Sequence, residues 1–135
     1  MTATVEFKER PRSAPCYAEV LPVRLSAEAA QQFSDDLQIL AHPIRMHILD
    51  ILGRSAGQVC VCDLEAALPV KQPTVSHHLR LLREAGLIDC ERQGLWAYYF
   101  IRREALAALR VRIARQLEAL APLASFYGHY IEDVQ

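Results

Sequence analysis

Two helical periods separated by a proline mark the centre of the chain. From Asp63 to Leu68 the apolar residues Leu64, Ala67 and Leu68 recur at helical spacing, and Pro69-Val70-Lys71 then interrupts them, because proline has no N–H with which to continue a helix interior. The period resumes over Gln72–Ala85, with Pro73 in the first turn, where a missing N–H costs nothing, and Gly86 just past the end. At about 100° per residue, Val75, Leu79 and Leu82 share one side, flanked by His78, Leu81 and Ala85. The opposite side carries Pro73, Ser76, His77, Arg80 and Glu84, with Gln72 and Arg83 at its edge. The chain then turns to β-branched and aromatic residues in Leu87–Arg92 and Leu95–Ile101, and Gln93-Gly94 between them reads as a tight hairpin turn. Upstream, Ser26 is the N-cap of a helix running to about Leu40, and His42-Pro43 opens another that carries Ile44, Ile48, Leu49 and Leu52 inward before Gly53. Downstream, a helix from Glu104 to about Leu120 lines up Leu106, Leu109, Ile113, Leu117 and Leu120 on one stripe.

Helix, short turn, helix ending at glycine, then a hairpin with a basic residue beside its tip is the order of a winged helix-turn-helix, so the fold class is mainly α with a small β-hairpin. The outer face of the second helix, with short hydrogen-bonding groups first and guanidinium groups further along, suits a major groove. By itself that face equally fits a solvated helix; the hairpin decides in favour of DNA. Lys71, Gln72, Ser76, His77, Arg80 and Arg83 are then the candidate contacts, and Arg92 reaches a phosphate or the minor groove. The formal net charge of −1 excludes a generic polyanion binder and leaves a local stripe of Lys71, Arg80, Arg83, Arg92 and Arg45, which predicts moderate salt dependence.

With 135 residues, 52% hydrophobic and 23% charged, the chain reads as one ordinary globular domain, residues 26–121, between an extension (1–25) containing Pro11, Pro15 and Pro22 and a tail (122–135). No apolar run approaches the roughly 18 residues of a spanning helix, and the N-terminus lacks the apolar core of a signal peptide, so the expectation is a cytoplasmic protein with no membrane partner. In that reducing compartment the four cysteines are expected as free thiols or ligands. No converging nucleophile, base and pocket suggest an enzyme.

Several motifs in order resemble the ArsR/SmtB family of small metalloregulatory repressors: Leu40-Ala41-His42-Pro43-Ile44-Arg45 with Ile48-Leu49, Cys60-Val61-Cys62-Asp63-Leu64, Gln72-Pro73-Thr74-Val75-Ser76-His77-His78-Leu79, Leu82-Arg83-Glu84-Ala85-Gly86-Leu87-Ile88, and Gly94 with Tyr98-Tyr99. The resemblance covers roughly residues 30–120 and is strongest to the arsenic-responsive branch, in which a Cys-Val-Cys at the first helix of the DNA-binding motif binds trivalent arsenic. It implies a repressor bound to double-stranded operator DNA, released by As(III) or Sb(III) as inducer, with no catalytic cofactor. It also implies a homodimer formed by the first and last helices, the latter through Leu106, Leu109, Ile113 and Leu117. Two-fold DNA sites call for two-fold proteins; packing on the domain's own core is the other use of that stripe. The chain departs from the family at Lys71, where a serine cap is usual, at Leu95, where a basic wing tip is common, and at Glu65, where some arsenic repressors have a third cysteine.

Soft thiolates select soft acceptors: trivalent arsenic or antimony takes three sulfurs in a pyramid, and zinc prefers four ligands in a tetrahedron. Residues i and i+2 of a helix point about 200° apart, so Cys60 and Cys62 converge only if Cys60 lies at or before the helix start. A helix N-terminus is also expected to lower a thiol's pKa. Cys16, in Ala14-Pro15-Cys16-Tyr17, is the candidate third ligand, and Cys90 reads as a small buried hydrophobe at the start of the wing. His42, His47, His77, His78 and His129 form no metal site on their own, and the last helix lacks the His and Asp pattern of zinc-sensing relatives. The alternatives are a cadmium or lead sensor using the same thiols, a disulfide redox switch, or a winged helix used for protein binding.

Overall fold

The computed structural model describes residues 23–120, folded as five helices and a three-stranded antiparallel sheet. The extension through residue 22, with Cys16, and the tail from 121, with His129, lie outside the described residues. Helix α1 (Ala27–Leu40) starts where Ser26 Oγ accepts the Ala29 amide at 3.1 Å, the cap expected from the sequence. Helix α2 (Pro43–Arg54) has Pro43 in its first turn, and His42 Nδ1 accepts the Ile44 amide at 3.1 Å. Helix α3 (Val61–Ala67) begins two residues earlier and ends one earlier than its apolar period suggests. Helix α4 (Gln72–Glu84) closes on Gly86 at φ 78: the Leu87 amide donates to the Leu82 carbonyl at 3.1 Å and the Gly86 amide to Arg83 at 2.9 Å, a Schellman ending that needs a left-handed residue there.

Strands β2 (Ile88–Gln93) and β3 (Trp96–Ile101) form the wing, and α5 (Arg103–Leu120) follows. The hairpin turn is Gly94-Leu95, one residue later than expected, because Gln93 pairs with Trp96. Gly94 has φ 65 and Leu95 has no positive φ, the pattern of a type II′ turn, which requires glycine first. The sequence reading also missed a strand. Val59–Cys60 (β1) adds to the other edge of β3, pairing Val59 with Tyr99 and Cys60 with Tyr98, in the order β1-β3-β2. Two residues are too short to display an alternation, so only the tertiary pairing reveals them.

Ile44, Ile48 and Leu52 of α2, Leu64 of α3, Val75, Leu79 and Leu82 of α4, and Ile88 of β2 make one core. Each of these side chains stabilises the fold by about 1.5–3 kcal/mol through apolar burial. Leu109 of α5 joins them at 1% exposure, which corrects its assignment to a dimer surface: it is already covered by its own chain. Helix α5 is also tied to α1 by Arg112, which donates to the buried carboxylate of Asp36 at 3.2 and 3.3 Å.

Candidate thiol site and DNA-reading surface

Cys60 ends β1 and is at the same time the N-cap of α3, with φ −62 and ψ 140. That extended backbone removes the divergence a regular helix imposes on i and i+2, and brings Cys60 near enough to act on the pKa of Cys62. Cys60 is buried and Cys62 exposed, so the pair opens to solvent at one sulfur. The expected lowering of pKa at a helix N-terminus does not hold for Cys62. Hydrogen bonding with Cys60 raises it first, followed by desolvation and by the charges of Cys60 and Asp63; the Asp63 amide pulls the other way without prevailing.

Cys90 is not placed with the pair. It stands opposite Tyr99, whereas Cys60 stands opposite Tyr98, and successive residues of β3 face opposite sides of the sheet. The Cys90 side is the core side, shared with Tyr99 and Ile101, and Tyr99 is raised in pKa mainly by burial and next by the charge of Cys90. Among the described residues no three His, Cys, Asp or Glu side chains are arranged to hold a metal ion.

Helix α4 presents Gln72, Pro73, Ser76, His77, Arg80 and Glu84 to solvent and buries Val75, His78, Leu79 and Leu82, as its sequence pattern predicts. Lys71 caps it without a side-chain bond, and Arg92 is exposed beside the wing tip. Arg80 is engaged within its own helix, 3.1 Å from His77 Nδ1 and 3.9 Å from Glu84, and two further cations are tied to other elements. Arg83 donates to Asp89 at 3.1 Å, fastening the end of α4 to the base of the wing, and Asp89 is held below the usual carboxylate range chiefly by the Cys90 amide. Arg45 does not join a DNA-facing stripe: it is half-buried, donates to the carbonyls of Ile39 at 2.8 Å and Gln38 at 2.7 Å, and lies 3.4 Å from His78. A long cation five residues after a helix end caps its free carbonyls, a use that charge counting does not distinguish from phosphate contact.

Tyr98, the strand partner of Cys60, is a neighbour that the sequence does not disclose. The alternation in Trp96-Ala97-Tyr98-Tyr99-Phe100 does put Trp96, Tyr98 and Phe100 on one face, but nothing in it tells which strand lies alongside.

The family model for bacterial regulatory proteins of the arsR family matches residues 42–89. A transcriptional repressor SmtB homolog of Synechocystis is 35% identical over 100 residues, covering 74% of each chain. The arsenical resistance operon repressor of Escherichia coli is 47% identical over 62 residues, 46% of this chain and 52% of that protein. A solved ArsR family transcriptional regulator superposes with a TM-score of 0.57 at 27% identity, over 69% of this chain and 94% of that one. Among the described residues no helix is long and apolar enough to cross a membrane.

Proposed function

Since the chain belongs to the ArsR family and is thereby a DNA-binding transcriptional regulator rather than an enzyme, we propose that it holds operator DNA in the cytoplasm as a homodimer and lets go when cysteine thiols capture As(III) or Sb(III). The observation that carries this reading is the placement of Cys60 as the N-cap and Cys62 in the first turn of α3, near enough that Cys60 raises the Cys62 pKa, on the helix that leads into α4. Two soft donors already together at an exposed helix end make a chelate for a thiophilic metalloid, and Cys16 supplies the third sulfur of an inorganic ligand. The balance is simple: three As–S bonds form as three As–O bonds break, each hydroxide leaves as water with a thiol proton, and arsenic stays trivalent. Cadmium or lead on the same thiols is the second reading, favoured by the same soft pair.

DNA contact falls to Lys71, Gln72, Ser76, His77 and Arg80 on α4 and to Arg92 on the wing, with Arg83 positioned by Asp89. Cys60 is a strand residue, a helix cap and a ligand together, so ligation acts on α3 and, through the Cys60–Tyr98 pair, on the wing. Shifting either changes the fit of the dimer to its half-sites.

The test is a DNA-release assay with arsenite and cadmium on Cys60→Ser and Cys62→Ser. Serine is among the best N-cap residues, so Cys60→Ser leaves α3 capped. Both variants should bind the operator as the parent does and fail to leave it at arsenite concentrations that release the parent. Undiminished release in both removes the thiol sensor.

A further inference from the structure

We infer that Gln58 is the positioning residue through which the state of the thiols reaches Arg92 on the wing. The inference deepens the function proposed above and rests on it. Gln58 stands two residues ahead of Cys60, just before β1, and uses both ends of its amide. Its Nε2 donates to Glu91 Oε2 at 2.6 Å, and its Oε1 accepts from Gln93 Nε2 at 3.3 Å. These two partners lie on either side of Arg92 in β2, at the far edge of the sheet. Successive side chains of a strand point to opposite faces, so a residue that grips 91 and 93 from one face sets how Arg92 is presented from the other. That other face is the one of Ile88, which packs with α4 in the core, so Arg92 leaves the sheet on the side of the reading helix.

The backbone link between thiols and wing is less direct. β1 pairs with β3 alone, so the Cys60–Tyr98 pairing acts on a strand one removed from Arg92. Gln58 spans β3 and reaches β2 itself. Among the described residues its two bonds are the side-chain hydrogen bonds that join the loop before β1 to the wing. The strap is also polarised. A reversed amide would set its oxygen against the Glu91 carboxylate and its nitrogen against that of Gln93, so the donor end is fixed on the charge, where a hydrogen bond is strongest. Arg92 is exposed and makes no salt bridge among the described residues, so its neighbours orient it rather than an anion of its own. Cys60 ends β1, and a ligand that moves its backbone moves Gln58 with it, draws the strap off Glu91 and Gln93, and takes Arg92 out of register with the DNA.

The experiment measures, on the full chain, affinity for a duplex that the chain itself selects from random sequence, without arsenite and with arsenite at saturation. Gln58→Ala should weaken inducer-free binding about fivefold and leave binding in arsenite within about twofold of the parent, so that the ratio of the two affinities falls about fivefold. Gln58, Glu91 and Gln93 are all exposed, so replacing them leaves the core intact. In Arg92→Ala the same substitution should change inducer-free affinity less than about twofold, because the side chain to be positioned is gone. Gln58→Glu sets two carboxylates together and should weaken binding at least as much as Gln58→Ala. Combined with Glu91→Gln it exchanges donor and acceptor at constant charge, and should restore the parent's ratio within about twofold. A merely structural role predicts neither the vanishing effect in Arg92→Ala nor this rescue. The inference is overturned if Gln58→Ala keeps the parent's ratio, if its effect and that of Arg92→Ala simply multiply, or if the exchanged pair stays as weak as Gln58→Glu. Should arsenite fail to release the parent itself, it is the proposed function that falls, and the inference with it.

Discussion

Cys62 stays a protonated thiol at neutral pH, because its bond with Cys60 and the nearby negative charge raise its pKa. This separates the two soft-ligand readings by their proton balance. A divalent cation must expel thiol protons into solvent, so cadmium binding should tighten about tenfold per pH unit for each proton displaced. Arsenite takes those protons away as water, so its affinity should stay flat from about pH 6 to 8; calorimetric titration across that range checks both slopes. His78 supplies a second pH effect. Its pKa is lowered chiefly by burial, then by His42, whose ring lies 4.1 Å away, and by Arg45 and His77. The unfolded chain protonates this histidine near 6.5 and the folded chain only at lower pH, so the unfolded state binds more protons in between. Stability is therefore full above about 6.5 and is lost as pH falls below it; urea midpoints should drop from about pH 7.5 to 5.5, less steeply in His78→Gln. Asp36 gives a third case. Arg112→Ala would leave a carboxylate at 1% exposure with only Gln32 as side-chain donor, and should cost about 2 kcal/mol in chemical denaturation, since the arginine itself is half in solvent.

Helix α4 is the element whose buried and exposed faces its own sequence states most fully. Its buried and exposed sides follow the 3.6-residue period without exception at Val75, Leu79 and Leu82 or at Ser76, His77 and Arg80, because one face packs and the other meets no other element. Ser76→Ala and Arg80→Ala should each weaken operator binding by about 1–3 kcal/mol in a mobility-shift assay and leave arsenite affinity unchanged. The helix caps at Ser26 and His42 and the glycine at the end of α4 were equally legible, since each acts on the backbone next to it. What stayed hidden depends on distant partners. β1 exists only because β3 offers an open edge, Leu109 is inside only because the cluster built by α2, α3 and α4 receives it, and Arg45 is a cap only because α1 ends within its reach. The turn was misplaced by one residue because a glycine can take either central position, and cross-strand pairing decides which. Gly94→Ala tests that assignment: a side chain there meets nothing within 4 Å, so the loss, about 1 kcal/mol in thermal unfolding, is purely conformational.

At the scale of the whole molecule, α5 leaves a groove of about 640 Å³ lined by Leu40, Leu106, Ile113 and Leu117, with Arg103 and Arg110 among its other walls. Leu117 is 53% exposed there, and a second copy of the chain is what the homodimer proposal places on it. Ile113→Glu should give a monomer by sedimentation, still folded because Leu109 retains the core contact, with operator affinity reduced by at least about tenfold through loss of the second half-site. A dimer that persists in this variant relocates the interface. The wing tip carries a different consequence. Trp96 is the chain's one tryptophan and sits where the hairpin turns back, so the tryptophan fluorescence of the protein, excited beyond the tyrosine band, comes from a single address. Its emission colour reads the wetness of the wing and nothing else, which makes the proposed docking of the wing on DNA testable in unlabelled protein and separable from melting of the helices, followed by circular dichroism.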